Sequence, residues 1–171
     1  MVFEEVLPQK TGPIEGVIDT GVVVIAHFKN PAMEEAFKFL SDALTWRRRI
    51  LIPVSTIMGA YHMMTEYLGV TEVSACKALT KTLETRSPAF YEDISVDSAL
   101  DALTYALAYK VESWDGYMIH LAKVHGAPVI YSIDRELAEK AVEVTVLNPI
   151  PNRAFEEYIH WIEERLRKPD K

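Results

Sequence analysis

Ser113-Trp114-Asp115-Gly116-Tyr117-Met118-Ile119 and, shortly after it, His125-Gly126-Ala127-Pro128-Val129-Ile130-Tyr131-Ser132-Ile133-Asp134-Arg135-Glu136-Leu137 make up the stretch that decides the fold. Ser113 is a good N-cap and opens a helix from Trp114 to His125. Gly126 stops that helix, because glycine enters the left-handed region without a steric penalty. Pro128–Tyr131 follows as a short strand with no polar alternation, the pattern of a strand covered on both faces in a parallel sheet. Asp134 then caps a short helix to about Ala141.

The same alternation runs outward in both directions. Upstream, Ile14–Ile18 reads as a strand ending at Asp19, and Val22–Phe28 is a continuous apolar run that periodicity leaves open as helix or strand. Asn30-Pro31 marks a helix start, with Met33, Phe37, Leu40 and Leu44 at helical spacing to near Trp46. Ile50–Val54 is a buried strand. Ser55 or Thr56 caps a helix to about Leu68, closed by Gly69, and Thr71 caps the next. Phe90–Ile94 is a short strand, and Asp97 opens a further helix. Downstream, Val142–Leu147 is the last strand, and about Arg153–Arg167 forms a final helix. Strands alternating with helices predict an α/β layered fold with a mainly parallel sheet. Residues 1–13 read as a polar lead-in, 14–150 as one domain, and 151–171 as a C-terminal amphipathic helix packed on it or at an interface.

The chain has 171 residues, and 49% of them are apolar, enough for a core without staples. The one cysteine, Cys76, excludes an intramolecular disulfide framework and a cysteine zinc finger, and its mid-helix place predicts a buried structural thiol. The net charge of −7 argues against coating nucleic acid through bulk charge. No run approaches the roughly 18 apolar residues that span a bilayer, and no secretory signal is visible, so the expected location is the cytoplasm without membrane contact.

In open parallel sheets ligands bind at the carboxyl ends of the strands. Asp19, with Thr20 behind it, ends the first strand. Asp134, with Ser132 two residues before it, follows the Pro128–Tyr131 strand. Asp115 lies in the first turn of the helix preceding that strand. Each aspartate also has a plain structural use as a cap or as a helix-dipole charge, so it is their shared edge that singles them out. Converging carboxylates repel one another unless a cation is present, and carboxylate and water ligands suit Mg²⁺ or Mn²⁺. Such ions can clamp a scissile phosphate and activate water.

Val17-Ile18-Asp19-Thr20-Gly21-Val22, together with the 113–119 and 125–137 blocks, resembles the PIN-domain family over roughly Ile14 to Pro149. The resemblance implies a three-layer α/β/α fold and Mg²⁺- or Mn²⁺-dependent cleavage of RNA, as in VapC-type toxins paired with antitoxins. It assigns Asp19, Asp115 and Asp134 to the metal site, and gives Ser132 a supporting hydrogen bond. The family's usual glutamate in the helix after the second strand falls, without a gap, at Tyr61. Glu66 is the nearest acid, and His62 offers a nitrogen. The alternative is therefore a catalytically weakened PIN-like module that binds RNA or protein.

Trp46-Arg47-Arg48-Arg49 is the one dense basic run, which makes Arg47 and Arg48 candidate substrate contacts alongside Arg135, with the indole open to a base. Its plain reading is a cationic helix terminus. His27, His62, His120, His125 and His160 show no ligand spacing and read as packing or surface residues. No P-loop, nucleophile elbow or dinucleotide-binding glycine pattern occurs, and Gly21 stands where a haloacid-dehalogenase-type phosphatase needs its second aspartate. Phe155, Tyr158, Ile159, Trp161, Ile162 and Leu166 form an apolar stripe. It covers the domain's own core, receives an antitoxin-like peptide, or holds a homodimer that brings two basic runs together.

Overall fold

The computed structural model describes residues 12–92 and 94–167, apart from the side chains of Leu166 and Arg167. Most of the expected lead-in, and the Leu166 end of the apolar stripe, lie outside the described residues. In chain order the elements are β1 (Gly16–Ile18), α1 (Thr20–Ala26), α2 (Met33–Leu44), β2 (Ile50–Pro53), α3 (Val54–Glu66), α4 (Glu72–Glu84), β3 (Phe90–Tyr91), α5 (Val96–Tyr109), α6 (Ser113–Val124), β4 (Val129–Tyr131), α7 (Arg135–Lys140), β5 (Thr145–Leu147) and α8 (Asn152–Arg167). The strands form one sheet in the order β3-β2-β1-β4-β5, and every neighbouring pair is parallel.

Successive strand residues point to opposite faces, and the core divides accordingly. Val17, Leu51 and Ile130 pack with α6, Ala102 of α5 and Leu137 of α7. Ile18, Ile50, Ile52 and Tyr131 pack on the other face with α1, α2 and parts of α3 and α4. Both faces are covered, which explains why the strands read as unbroken apolar runs. The run that stood open between helix and strand, Val22–Phe28, supplies a helix: Val22 to Ala26 of α1 are all buried.

Three local readings change. Asn30 does not cap at Pro31; its side-chain amide ties back to the Ile25 and Phe28 carbonyls and its Oδ1 accepts from the Ala32 N–H, so α2 starts at Met33. Ser95, not Asp97, caps α5 by accepting from the Ser98 N–H. Cys76 is exposed on α4 and not buried, because α4 buries the face carrying Ala75, Leu79 and Thr82.

α5 and α6 cross backbone against backbone. A Cβ on Gly116 would stand 2.1 Å from the Ala102 carbonyl oxygen and 2.9 Å from the Ala106 nitrogen, so only glycine permits this approach. The approach sets the start of α6, and hence Asp115, level with the second half of α5. The C-terminal stripe turns inward: Phe155 and Tyr158 are buried, Ile159 and Ile162 pack against the core, and Trp161 tilts onto Phe28 at 5.9 Å. The stripe left open is on α5, where Val96, Leu100, Leu103 and Leu107 are 59–83% exposed. Among the described residues no helix is long and apolar enough to cross a membrane.

Candidate active site

The chain order reverses beside β1: β2 and β3 extend the sheet to one side of it, β4 and β5 to the other. Adjacent strands leaving in opposite directions open a crevice at their carboxyl ends. Asp19 follows β1 and Ser132 follows β4, so both stand at that crevice. The Asp19 N–H extends the ladder, donating to the Tyr131 carbonyl at 3.0 Å. Its carboxylate caps α1, accepting from the Thr20 N–H at 2.6 Å.

Ser132 is only 2% exposed and joins two of the acids. Its hydroxyl donates to Asp19 Oδ2 at 2.7 Å and accepts from the Asp134 N–H at 3.0 Å. Asp134 caps α7 through Oδ1, which accepts from the Glu136 and Leu137 N–H groups at 2.7 and 3.1 Å. The caps foreseen for Asp19 and Asp134 are therefore real, and both carboxylates still face one cavity. That cavity has a volume of about 690 Å³ and is lined by Asp19, Asp115 and Asp134 with Thr20, Gly21, Ser55, Gly59, His62, Met63, Tyr67, Glu112, Trp114, Ile133 and Arg135.

The shared space shows in the charges. Burial first, then the charges of Asp19, Asp134 and Glu112, push Asp115 up to about 7, against a smaller opposing hydrogen bond from the Glu112 backbone. Burial likewise raises Asp19; the Ser132 and Thr20 hydrogen bonds oppose this, and Asp134 adds to it. A protonated aspartate near neutral pH marks carboxylates gathered without enough positive charge.

The donors are hard oxygens: three aspartates, Thr20, and Ser55, whose buried Oγ has no hydrogen-bond partner. That set fits Mg²⁺ or Mn²⁺. Among the described residues no group of three or more His, Cys, Asp or Glu side chains forms a ready cage.

Other sequence candidates stand elsewhere. Tyr61 points away from the cavity into the groove beside α4. The cavity face of α3 is instead Ser55, Gly59, His62, Met63 and Tyr67, and Glu66 does not line the cavity. Arg135 does line it. Arg47 and Arg48 precede β2 and so lie at the opposite end of the sheet; Arg47 pairs with Asp42 at 3.1 Å and Arg48 with Glu15 at 3.0 Å. Trp46 carries the Arg49 guanidinium at 5.0 Å, so its indole is not open to a base. The substrate contacts expected of Arg47 and Arg48 are thus not at this cavity.

Among the cavity residues that escaped the sequence reading are Glu112, Trp114, Tyr67 and Ser55. Glu112 had a signal, since it stands three residues before Asp115 and shares its helix face. Ser55 stood in view as a cap. Instead Pro53 precedes the first turn of α3, and its carbonyl accepts the Thr56 hydroxyl.

The chain is similar in structure to PAE2754 from Pyrobaculum aerophilum, with a TM-score of 0.56 and 17% identity, covering 92% of this chain and 100% of that one. It is also similar to a toxin-antitoxin complex from Klebsiella pneumoniae, with a TM-score of 0.51 and 18% identity over 78% of this chain and 97% of that one. FitAcB from Neisseria gonorrhoeae gives a TM-score of 0.51 and 18% identity over 78% and 96%. No curated protein matches the sequence. The sequence model of the PIN domain matches residues 16–143, most of the chain. With that match and a parallel sheet carrying its acids at the switch between β1 and β4, the chain belongs to the PIN-domain family.

Proposed function

We propose that the chain is a metal-dependent ribonuclease that hydrolyses RNA phosphodiester bonds at the Asp19–Asp115–Asp134 cavity. The observation that carries this reading is geometric: Asp19, Asp115, Asp134 and Glu112 all line one cavity at the carboxyl end of the sheet, and their crowding pushes Asp115 up. Such a cluster is costly as pure structure, and a divalent cation removes the cost. When bound, Mg²⁺ or Mn²⁺ supplies positive charge for the phosphate oxygens and a water of lowered pKa. Asp19 and Asp134 are pre-oriented, one by Thr20 and Ser132, the other by the α7 N-terminus, so neither reorganises when charge builds in the reaction. Asp115, raised by its neighbours, would hold the ion in its ionised form alongside Asp19 and Asp134. Arg135 is the guanidinium on the cavity wall and contacts the phosphate chain. Short RNA incubated with Mn²⁺ tests the reading: cleavage that Asp19→Asn abolishes is expected, and no cleavage by the wild type would sink it.

A second reading, a catalytically weakened PIN-like module binding RNA or protein, draws on one observation: the cavity face of α3 carries no carboxylate. Glu112 adds a fourth acid to the cavity lining, which favours the enzyme. The same cleavage assay separates the two.

A toxin role with an antitoxin partner is the biological setting we propose, supported by the likeness to the Klebsiella pneumoniae complex. Co-purification of a protein encoded beside this chain, with loss of cleavage in the complex, is the expected result. A homodimer remains part of the proposal, but with α8 folded inward the open α5 stripe is its better seat. Antiparallel pairing of two α5 helices would set Asp97 of one copy near Lys110 of the other. Leu103→Glu should then halve the mass seen by light scattering; an unchanged mass would remove α5 from the interface.

A further inference from the structure

The three tryptophans of the chain are treated differently. Trp46 lies under Arg49 at 5.0 Å, and Trp161 packs on Phe28 at 5.9 Å with Arg165 over it at 5.0 Å. Trp114, in the first turn of α6, is 59% exposed and has no ring or cation partner among the described residues, yet it lines the cavity beside Asp115. Tyr67, which ends α3 on the neighbouring wall, is 64% exposed and lines the same cavity. The His62 ring braces it edge-on, at 5.6 Å and 87°. Large open aromatics are unfavourable in water unless something covers them. Here both line the cavity that holds the three aspartates.

The charges of that cavity say what covers them. Asp19, Glu112, Asp115 and Asp134 line it against a single guanidinium, Arg135. A polyanion gripped mainly through its phosphates needs many cations, and this wall offers one. A base has a flat π-face that stacks on an aromatic ring whatever the charge nearby. A double helix keeps those faces hidden in its own stack, and only an unpaired strand can present them.

We propose that Trp114 and Tyr67 are base-stacking residues that make this cavity a site for unpaired nucleotides, held by stacking more than by phosphate charge. The proposal rests on the nuclease reading above for its substrate class, and it adds the positioning residues and the source of affinity. The bases flanking the scissile phosphate lie on the two rings, and the phosphate between them is set over the carboxylates. Because stacking does not touch the 2′-hydroxyl, single-stranded DNA binds this surface about as well as RNA.

Tryptophan fluorescence of the full chain, titrated with oligo-rU, oligo-dT or a duplex in the presence of Mn²⁺, tests this without relying on turnover. Quenching by both single strands and not by the duplex is expected, and Trp114→Phe should lose most of it. Loss of one stacked base should weaken affinity about tenfold, so Trp114→Ala and Tyr67→Ala should each raise KM by about that factor while kcat changes little. Trp114→Phe and Tyr67→Phe, which keep a ring, should recover most of the affinity. The slope of log K against log [KCl] should lie near −1, about what one or two phosphate contacts give. A slope steeper than about −3, equal binding of the duplex, or unchanged KM in both alanine variants would overturn the stacking proposal while leaving an active nuclease intact. Quenching by single strands without any cleavage would uphold stacking and reject the nuclease. Neither quenching nor cleavage would reject both.

Discussion

At the amino end of the strands, Arg48 donates to Glu15 at 3.0 Å and to the Tyr131 hydroxyl at 2.6 Å, and lies over the Phe39 and Tyr131 rings at 5.3 and 5.2 Å. Glu15 in turn accepts the Arg49 N–H at 3.1 Å. Arg48 and Glu15 there neutralise one another, and the hydrogen bond from Arg49 comes from its backbone. At the carboxyl end of the same sheet, Asp115 shares a cavity with three other acids and is pushed up to about 7. One end of the sheet neutralises its charge within the chain; the other leaves a negative excess facing an opening. The difference teaches where to look for function: Arg47 and Arg48 are eye-catching in sequence but paired with acids of their own chain, whereas the aspartates are scattered in sequence and gathered in space with an excess of negative charge.

The largest expected effect breaks the carboxyl end. Asp19→Asn removes a ligand charge but keeps an N-cap, so RNA cleavage should fall by about 1,000-fold or more while the melting temperature does not fall, since a carboxylate raised by burial is no asset to the fold at neutral pH. A loss confined to stability would return Asp19 to its role as a cap.

Next comes the contrasting mutation. Arg48→Ala should destabilise the fold by about 1–2 kcal/mol, chiefly through lost packing of its stem and guanidinium on Phe39 and Tyr131, since a half-exposed ion pair contributes little. Urea denaturation reads the loss, and cleavage by the folded protein should be unchanged. A drop in kcat/KM would place the basic run back on the substrate path.

The pH dependence sharpens the same comparison. Asp115 is pushed up to about 7 from the ordinary aspartate value of 3.8, so the native state binds more protons than the unfolded chain between those values. Stability without metal therefore falls as pH rises through that window. Asp115→Asn removes the penalty, and should raise stability at pH 8 by about 1–2 kcal/mol, a value reduced for the site's partial exposure, with little change at pH 4. Equal denaturation curves at pH 8 would mean that the acids do not strain one another.

The smallest effect falls on Glu66→Gln. Glu66 does not line the cavity, so cleavage should stay within about twofold of wild type. A large loss would show that α3 turns to bring this acid in.

Much of this arrangement was legible because it is local. Ser132-x-Asp134, Asp19 at a strand end, and Gly126 with its φ of 60° follow from residues a few positions apart. What the sequence hid was phase and direction. Counting without a gap placed the missing glutamate at Tyr61, yet one residue turns a helix by about 100°, and the neighbouring His62 and Met63 line the cavity instead. The α8 stripe read equally well as interface or core, since periodicity gives a face but not what covers it. The Arg47–Arg49 run was open to a better reading: it precedes β2, and whatever precedes a parallel strand lies at the end of the sheet away from the ligand crevice.

The central claim is that the acids at the β1–β4 switch are completed by a divalent cation. Calorimetric titration of Mn²⁺ into the wild-type protein and Asp115→Asn at pH 7, repeated in buffers of different ionisation enthalpy, tests it most directly. The account predicts binding by the wild type with release of part of a proton, and affinity at least about tenfold weaker with no proton release in the variant. No binding by the wild type, or equal binding by both proteins, would contradict it.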